Sequence, residues 1–245
     1  MHRSVRVGRL YCCAMEEEAQ PIIDHYRMLL LDKNTVKKFL NLESKMFGNY
    51  FFRMSDMIKI YMSPGKQHAL VVTGIGKTNA AMVSAYAIEV LNPTDIINIG
   101  LCGSLRKDLF KIGQFVLVTH VCQHDVYIPE ALRSEQFNDL YQDIEIHHSH
   151  IIRDRDLYYG LQCVKLATGD SFVDSDFVSN RIITTFGSQI VDMEGYSLGK
   201  VCKMYGKQLT MIKMISDGAS ENAPSEFSNI FELYKKNIAG LLDLI

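Results

Sequence analysis

The chain has 245 residues, of which 47% are hydrophobic, 22% charged and 10% aromatic. A chain of this size and balance can bury enough apolar surface to fold without a disulfide or metal staple. With 26 Lys+Arg against 28 Asp+Glu, the formal net charge is -2, and no basic excess exists to drive counterion-release binding to nucleic acid.

Val5 to Ala14 reads as a first strand, rich in Val, Leu, Tyr and Cys, and Glu16-Glu17-Glu18 stands directly behind it. The apolar run ahead of these glutamates is about five residues, against roughly 7–15 for a secretory leader and about 20 for a membrane span. A cytoplasmic protein with no membrane partner is the expectation. Gln20 to Leu42 is helical by composition. Phe51–Arg53 and Met57–Met62 flank Ser55-Asp56 and suggest a hairpin. His68–Thr73 is a buried strand, and Gly74-Ile75-Gly76 turns the chain into a helix from Thr78 to Leu91. Asp95–Ile99 is a further apolar strand that ends at Gly100. Gln114–Val121, Leu161–Leu166, Gln189–Asp192 and Gln208–Ile215 are strands as well, the last two separated by a helix from Tyr196 to Tyr205. Residues 225–243 close the chain as one amphipathic helix.

No repeat and no Pro/Ser-rich linker divides residues 1–245, which read as one domain. Strands alternating with helices give an α/β domain around a parallel or mixed sheet. Of the six cysteines, Cys12 and Cys13 are adjacent, while Cys102, Cys122, Cys163 and Cys202 each lie in an apolar stretch. With no CxxC pair a zinc ribbon is excluded, and buried free thiols in a reducing compartment are expected.

Two apparent motifs fail on their spacing. Gly76-Lys77-Thr78 resembles the end of a P-loop, but Val71 stands where the pattern needs its first glycine, and Asn79 stands where a dinucleotide fingerprint needs its third. What survives is a tight strand-to-helix turn. His147-His148-Ser149-His150 reads as a solvated loop, because neighbouring side chains in an extended segment point to opposite faces. No metal or organic cofactor is expected.

In open α/β sheets ligands bind outside the carboxyl ends of the strands. Four such exits stand out: Met15-Glu16-Glu17-Glu18, Gly100-Leu101-Cys102-Gly103, Met193-Glu194 and Ser216-Asp217. Three of them deliver carboxylates. The triple glutamate alone reads as the acidic first turn of a helix. Asp217, at the end of an apolar strand, is placed for a desolvation-raised pKa that suits a general acid. Converging carboxylates without metal-ligand histidines fit glycosidic chemistry, where one protonates the leaving group, another activates water and a third steadies the sugar.

The stretches Ala14-Met15-Glu16-Glu17-Glu18-Ala19, Gly74-Ile75-Gly76-Lys77, Asn98-Ile99-Gly100, Ala167-Thr168-Gly169-Asp170-Ser171-Phe172, Asp192-Met193-Glu194-Gly195 and Ile215-Ser216-Asp217 occur in this order. Together they resemble the 5′-methylthioadenosine/S-adenosylhomocysteine nucleosidases of the nucleoside phosphorylase superfamily. The resemblance implies a three-layer α/β/α fold with a twisted mixed sheet, a homodimer, and a small purine nucleoside as ligand. It implies Glu18 as the glutamate that activates water and Asp217, following Ser216, as the acid at purine N7. Glu194 would bind the ribose hydroxyls, with Met193 against the sugar. Phe172 would stack on the purine, the Val173 backbone would meet the base edge, and Phe227 would be an aromatic lid.

Three positions depart from that family. Leu101 replaces a small hydroxyl residue near the water, Lys213 replaces an arginine, and Asp192 replaces a glutamate. A leucine side chain offers the water no hydrogen bond. The superfamily's phosphorylases carry arginine near the end of the first strand, whereas three glutamates here would repel a phosphate dianion. At 4 Å and an effective dielectric of about 20, each like-charge contact costs about 4 kcal/mol. Hydrolysis is therefore the expected reaction, with phosphorolysis and non-catalytic nucleoside binding as the competing readings.

Overall fold

The computed structural model describes residues 6–32, 58–132, 134, 138–148 and 160–245. Strand β1 (Arg9–Cys13) leads into helix α1 (Glu16–His25), then β2 (Leu29–Leu30), β3 (Ile60–Met62) and β4 (His68–Val72). Helix α2 (Lys77–Leu91), β5 (Asp95–Ser104) and β6 (Phe115–Gln123) follow. After a 3-10 turn at Glu130–Leu132 come α3 (Asn138–Tyr141), β7 (Ile144–Glu145) and β8 (Gln162–Thr168). The chain continues through α4 (Asp176–Phe186), β9 (Ile190–Asp192), α5 (Gly195–Met204), β10 (Gln208–Asp217), α6 (Ala223–Ser228) and α7 (Phe231–Leu242).

The strands form one mixed sheet in the order β10-β6-β8-β9-β5-β1-β4-β3-β2, with β7 beside β6 and a further pairing between β10 and β5. That extra pairing closes β5, β10, β6, β8 and β9 on themselves, while β1, β4, β3 and β2 continue as an open wing. β1 runs parallel to β4 and β5, and β5 parallel to β10. β6 is antiparallel to β10, and β9 to β5.

Alternation along β1 divides the core into two layers. Leu10 and Cys12 face one cluster, with Ala80, Ala87 and Leu91 of α2 and Leu198 of α5; Tyr11 and Cys13 face the other, with Ile22 of α1 and Tyr234 and Ile238 of α7. Helices thus cover both faces of the sheet, as the α/β/α expectation requires. No described helix is long and apolar enough to cross a membrane.

Several boundaries differ from the sequence reading. The helix expected over Gln20–Leu42 begins at Glu16 and ends at His25, and Leu29–Leu30 is strand. Residues 33–42 of that span, the Phe51–Arg53 strand and the Ser55-Asp56 turn lie outside the described residues, as do Ser149 and His150 of the histidine stretch. Of the expected Met57–Met62 strand, Ile60–Met62 is β3, which pairs with β2 and β4. β5 does not stop at Gly100 but runs to Ser104, and β10 runs to Asp217. The closing helix is broken at Asn229-Ile230 into α6 and α7. Helix α4 was not anticipated; its β-branched stretch Ile182-Ile183-Thr184-Thr185 weakens the helical signal, although the left-handed C-cap at Gly187 marks its end. Cys163, expected to be buried, is exposed, because it sits near the solvent-facing start of β8.

Candidate active site

A cavity of about 350 Å³ opens at the ends of the strands, and Glu18, Phe172, Val173, Met193, Glu194, Ser216, Asp217 and Phe227 all line it. They arrive from separate elements: the first turn of α1, the loop after β8, the β9–α5 junction, the end of β10, and α6. Every residue singled out from the sequence as a site candidate is brought to this one place.

The three glutamates of α1 have different surroundings. Glu16 and Glu17 are exposed, and Glu16 pairs with Lys59 at 2.6 Å on the surface. Glu18 is 3% exposed. Its Oε2 accepts from the Ala14 and Met15 N–H groups at 2.9 and 3.1 Å, and its Oε1 from the Leu101 N–H at 2.7 Å. Leu101 therefore does hydrogen-bond at the site, through its backbone. Burial raises the Glu18 pKa, and Lys213 and the three N–H groups oppose that rise without cancelling it. From α7, the Tyr234 hydroxyl donates to the Glu18 carbonyl at 3.2 Å, tying α1 across its layer.

Asp217 is placed by an irregularity between Ile215 and Asp217, where the β5–β10 register shifts and Asp217 comes opposite Gly103. Such a shift re-aims one side chain without ending the strand. Its Oδ1 accepts from the Ala219 N–H at 2.9 Å. The Ser216 hydroxyl lies 2.6 Å from Asp217 Oδ2 and 3.0 Å from the Cys102 carbonyl. A hydroxyl has one proton, so it serves Asp217 when that carboxyl is ionised and can turn to Cys102 when it is not. Burial raises the Asp217 pKa, Ser216 and Ala219 pull it back, and Glu226 adds to the rise. A carboxyl in this setting is suited to hold and release a proton.

Two glycines of β5 make room for these acids. A Cβ on Gly100 would lie 2.8 Å from Glu18 Oε1, and one on Gly103 would lie 2.9 Å from Asp217 Oδ1. Sequence reasoning took Gly100 for a strand end. A glycine inside an apolar strand also marks close approach by another group, and that was the available signal.

Glu194 Oε1 accepts from the Gly76 N–H at 2.8 Å, at the N-terminus of α2. Its pKa is pushed up to about 7 by burial first and by the neighbouring Asp192 second. The Gly74-Ile75-Gly76 turn, with φ of +83° at Gly74 and +96° at Gly76, presents its N–H groups to carboxylates: the Lys77 N–H donates to Asp170 Oδ1 at 2.7 Å. Beneath, Asp192 accepts from the Thr168 hydroxyl at 2.7 Å, and its Oδ2 lies 2.9 Å from Lys213 Nζ. Burial opposes the Lys213 charge, but Asp192, Glu194 and Glu18 outweigh it and hold the ammonium charged.

On the opposite wall, the rings of Phe172 and Phe227 meet edge to face with centroids 5.7 Å apart. Val173 is buried and Met193 half-buried beside them. Aromatic faces, an apolar floor and the carboxyls of Glu18, Glu194 and Asp217 suit a flat heteroaromatic base joined to a polyhydroxyl group. Among the described residues no cluster of His, Cys, Asp and Glu is arranged to hold a metal ion.

Residues 9–245 match the sequence profile of the phosphorylase superfamily. A 5′-methylthioadenosine/S-adenosylhomocysteine nucleosidase of Buchnera aphidicola subsp. Schizaphis graminum is 30% identical over 213 residues, covering 84% of this chain and 87% of that protein. An aminodeoxyfutalosine nucleosidase of Helicobacter pylori is 27% identical over 233 residues, covering 89% of each. In fold, the chain is similar to the 5′-methylthioadenosine/S-adenosylhomocysteine nucleosidase of Neisseria meningitidis in complex with methylthio-immucillin-A, with a TM-score of 0.75, 23% identity and 97% of each chain covered. A Helicobacter pylori nucleosidase structure gives a TM-score of 0.77 at 21% identity over the whole of both chains.

Proposed function

The chain belongs to the 5′-methylthioadenosine/S-adenosylhomocysteine nucleosidase family within the phosphorylase superfamily, and from that premise we propose that it hydrolyses the N-ribosidic bond of a 5′-modified adenine nucleoside, releasing adenine. The observation that carries the reading is the meeting of buried Glu18, Glu194 and Asp217 on one cavity beside the Phe172–Phe227 pair.

In this reading the base packs against Phe172 under Phe227, with the Val173 backbone at its edge, and Glu194 binds the ribose hydroxyls beside Met193. Asp217 gives its proton to purine N7, so the base leaves neutral rather than as an anion. As Asp217 becomes ionised, the Ser216 hydroxyl turns to it from the Cys102 carbonyl, and the Ala219 N–H supports the new charge. The sugar develops oxocarbenium character in a field set by Glu18 and Glu194. Glu18 takes a proton from water as the water adds to the sugar's anomeric carbon. Its three backbone donors keep the carboxylate aimed while that proton arrives.

Water is favoured over phosphate by charge. Glu18, Asp192 and Glu194 line the cavity beside the protonated Asp217, and the buried Lys213 is committed to Asp192. A phosphate dianion would meet like charge with, among the described residues lining the cavity, no cation beside it. The test is release of adenine from methylthioadenosine in phosphate-free buffer after exhaustive chelation. A requirement for phosphate, with a ribose 1-phosphate product, would make the chain a phosphorylase; loss on chelation would reveal a metal dependence.

A homodimer belongs to the same reading, as the family resemblance implies. A cytoplasmic site of action is supported by the five buried cysteines, all free thiols.

A further inference from the structure

The Lys77 side chain of the apparent P-loop takes no part in the chemistry above, yet it is the hub of a hydrogen-bonded ring. Its ammonium donates to Asp125 Oδ1 at 2.7 Å and to Gln123 Oε1 at 3.0 Å, both at the exit of β6. Asp125 Oδ2 in turn accepts from the Asp170 N–H at 2.8 Å, beyond β8. Asp170 Oδ1 closes the ring by accepting from the Lys77 N–H at 2.7 Å. The side chains of Lys77 and Asp125 are only 17% and 25% exposed. Burial would raise the Asp125 pKa, but Lys77 and the Asp170 N–H outweigh it and hold the carboxyl below its usual value.

We propose that Lys77, Asp125 and Asp170 form a clamp that positions the nucleoside site, with Lys77 as a positioning residue for both the ribose carboxylate and the base-binding loop. The inference rests on the reading of the cavity as an adenine nucleoside site.

Adjacency along the chain carries the effect of the ring to the site. Gly76, next to Lys77, supplies the N–H that holds Glu194, and Asp170 lies two residues before Phe172 in the loop that meets the base. One ring therefore fixes the start of α2 to the loop after β8, and through them the two walls that grip sugar and base. Gly76 fits this closure closely: a Cβ there would lie 3.1 Å from Asp170 Oδ1. The ammonium also supplies the counter-charge of Asp125. Without it, Asp125 loses its counter-charge and the loop loses its register against α2.

Lys77→Met in the full chain tests the clamp, using methylthioadenosine turnover and calorimetric binding of a non-hydrolysable 5′-thioalkyl adenosine analogue. KM and the analogue Kd should both rise about tenfold while kcat changes less than about threefold, because a loosened site costs positioning before it costs proton transfer. Lys77→Arg should restore most of the affinity, and Lys77→Met combined with Asp125→Asn should bind no worse than Lys77→Met alone, as members of one unit do. If Lys77→Met does not fold, Asp125→Asn alone must show the same rise in Kd. Unchanged Kd in a folded variant, with only a lower Tm, would reduce the clamp to a structural tie and overturn the proposal. Failure of the unaltered protein to bind the analogue would instead overturn the nucleoside reading.

Discussion

Gly100 and Glu18 are in such close approach that a methyl group on Gly100 would stand 2.8 Å from the Glu18 Oε1 atom and 3.3 Å from its carboxyl carbon. Gly100 lies in β5 opposite Lys213 of β10, and Glu18 reaches over it from α1 to the Leu101 N–H. The proposed base is held against a strand that has been cleared of side chain to receive it.

Gly100→Ala should therefore displace the Glu18 carboxylate while leaving the base wall intact. A displacement of about 1 Å in a catalytic group can cost on the order of 100-fold in rate. We expect kcat to fall by about that factor, with analogue binding changed only severalfold. Steady-state kinetics and calorimetry on the purified variant decide it, and a kcat within about threefold of the parent would disprove the close-approach argument.

Glu18 and Glu16 stand two positions apart, and their glutamine variants separate catalysis from helix electrostatics. Glu18→Gln removes a buried base, and general-base groups contribute roughly 100- to 10,000-fold. Glu16→Gln removes one exposed partner of Lys59, and an exposed pair of this kind adds little to stability. Turnover should collapse in the first variant and stay near the parental rate in the second. Equal behaviour would leave the glutamate run as an acidic helix start and nothing more.

Glu194 gives a pH prediction. Its folded-state pKa near 7 lies above the ordinary carboxyl value of 4.5, raised chiefly by burial and then by Asp192. Between those values the folded protein binds more protons than the unfolded chain, so this group's contribution to stability is full below about pH 4.5 and is lost as pH rises through 7. Glu194→Gln, neutral at every pH, should accordingly raise the Tm of the ligand-free protein by several degrees at pH 8 and by much less at pH 5. The same variant should bind nucleoside more weakly. Thermal scans at the two pH values check the sign, and a larger gain at pH 5 would contradict it.

How much of this was legible beforehand depended on whether a signal was local. The carboxylates could be found because each follows an apolar strand, and an α/β sheet delivers strand exits to a common edge. Gly76-Lys77 could be rejected as a phosphate loop by spacing, and its N–H groups indeed face Glu194 and Asp170. Gly100 was misread because a glycine that ends a strand and one that admits a neighbour look alike in one dimension; the neighbour, Glu18, is 82 positions away. The ring around Lys77 joins residues 48 and 93 positions apart, which no short pattern encodes. The closing pair of helices read as one because the break at Asn229-Ile230 contains neither Gly nor Pro.

The buried pair Lys213–Asp192 carries the last prediction. Lys213 is 2% and Asp192 7% exposed, and their 2.9 Å contact is backed by the Thr168 hydroxyl and the Gly195 N–H on the aspartate. Removing one member of such a pair leaves an uncompensated buried charge and typically costs about 3–5 kcal/mol. Lys213→Met should therefore lower stability by about that amount. Adding Asp192→Asn removes the stranded charge and should recover most of the loss, since the cost lies in the unpaired ion rather than in the missing contact. Activity should not recover with it. Lys213 is also the cation that offsets Glu18, and in its absence that carboxyl has less reason to ionise, whereas Glu194 is relieved of Asp192, which raises its pKa more than Lys213 lowers it. The doubly substituted protein should be folded, near parental in denaturant midpoint, and at least about tenfold slower, with its pH–rate profile displaced to higher pH. Full recovery of both stability and rate would assign the pair to folding alone and detach Lys213 from the chemistry of Glu18.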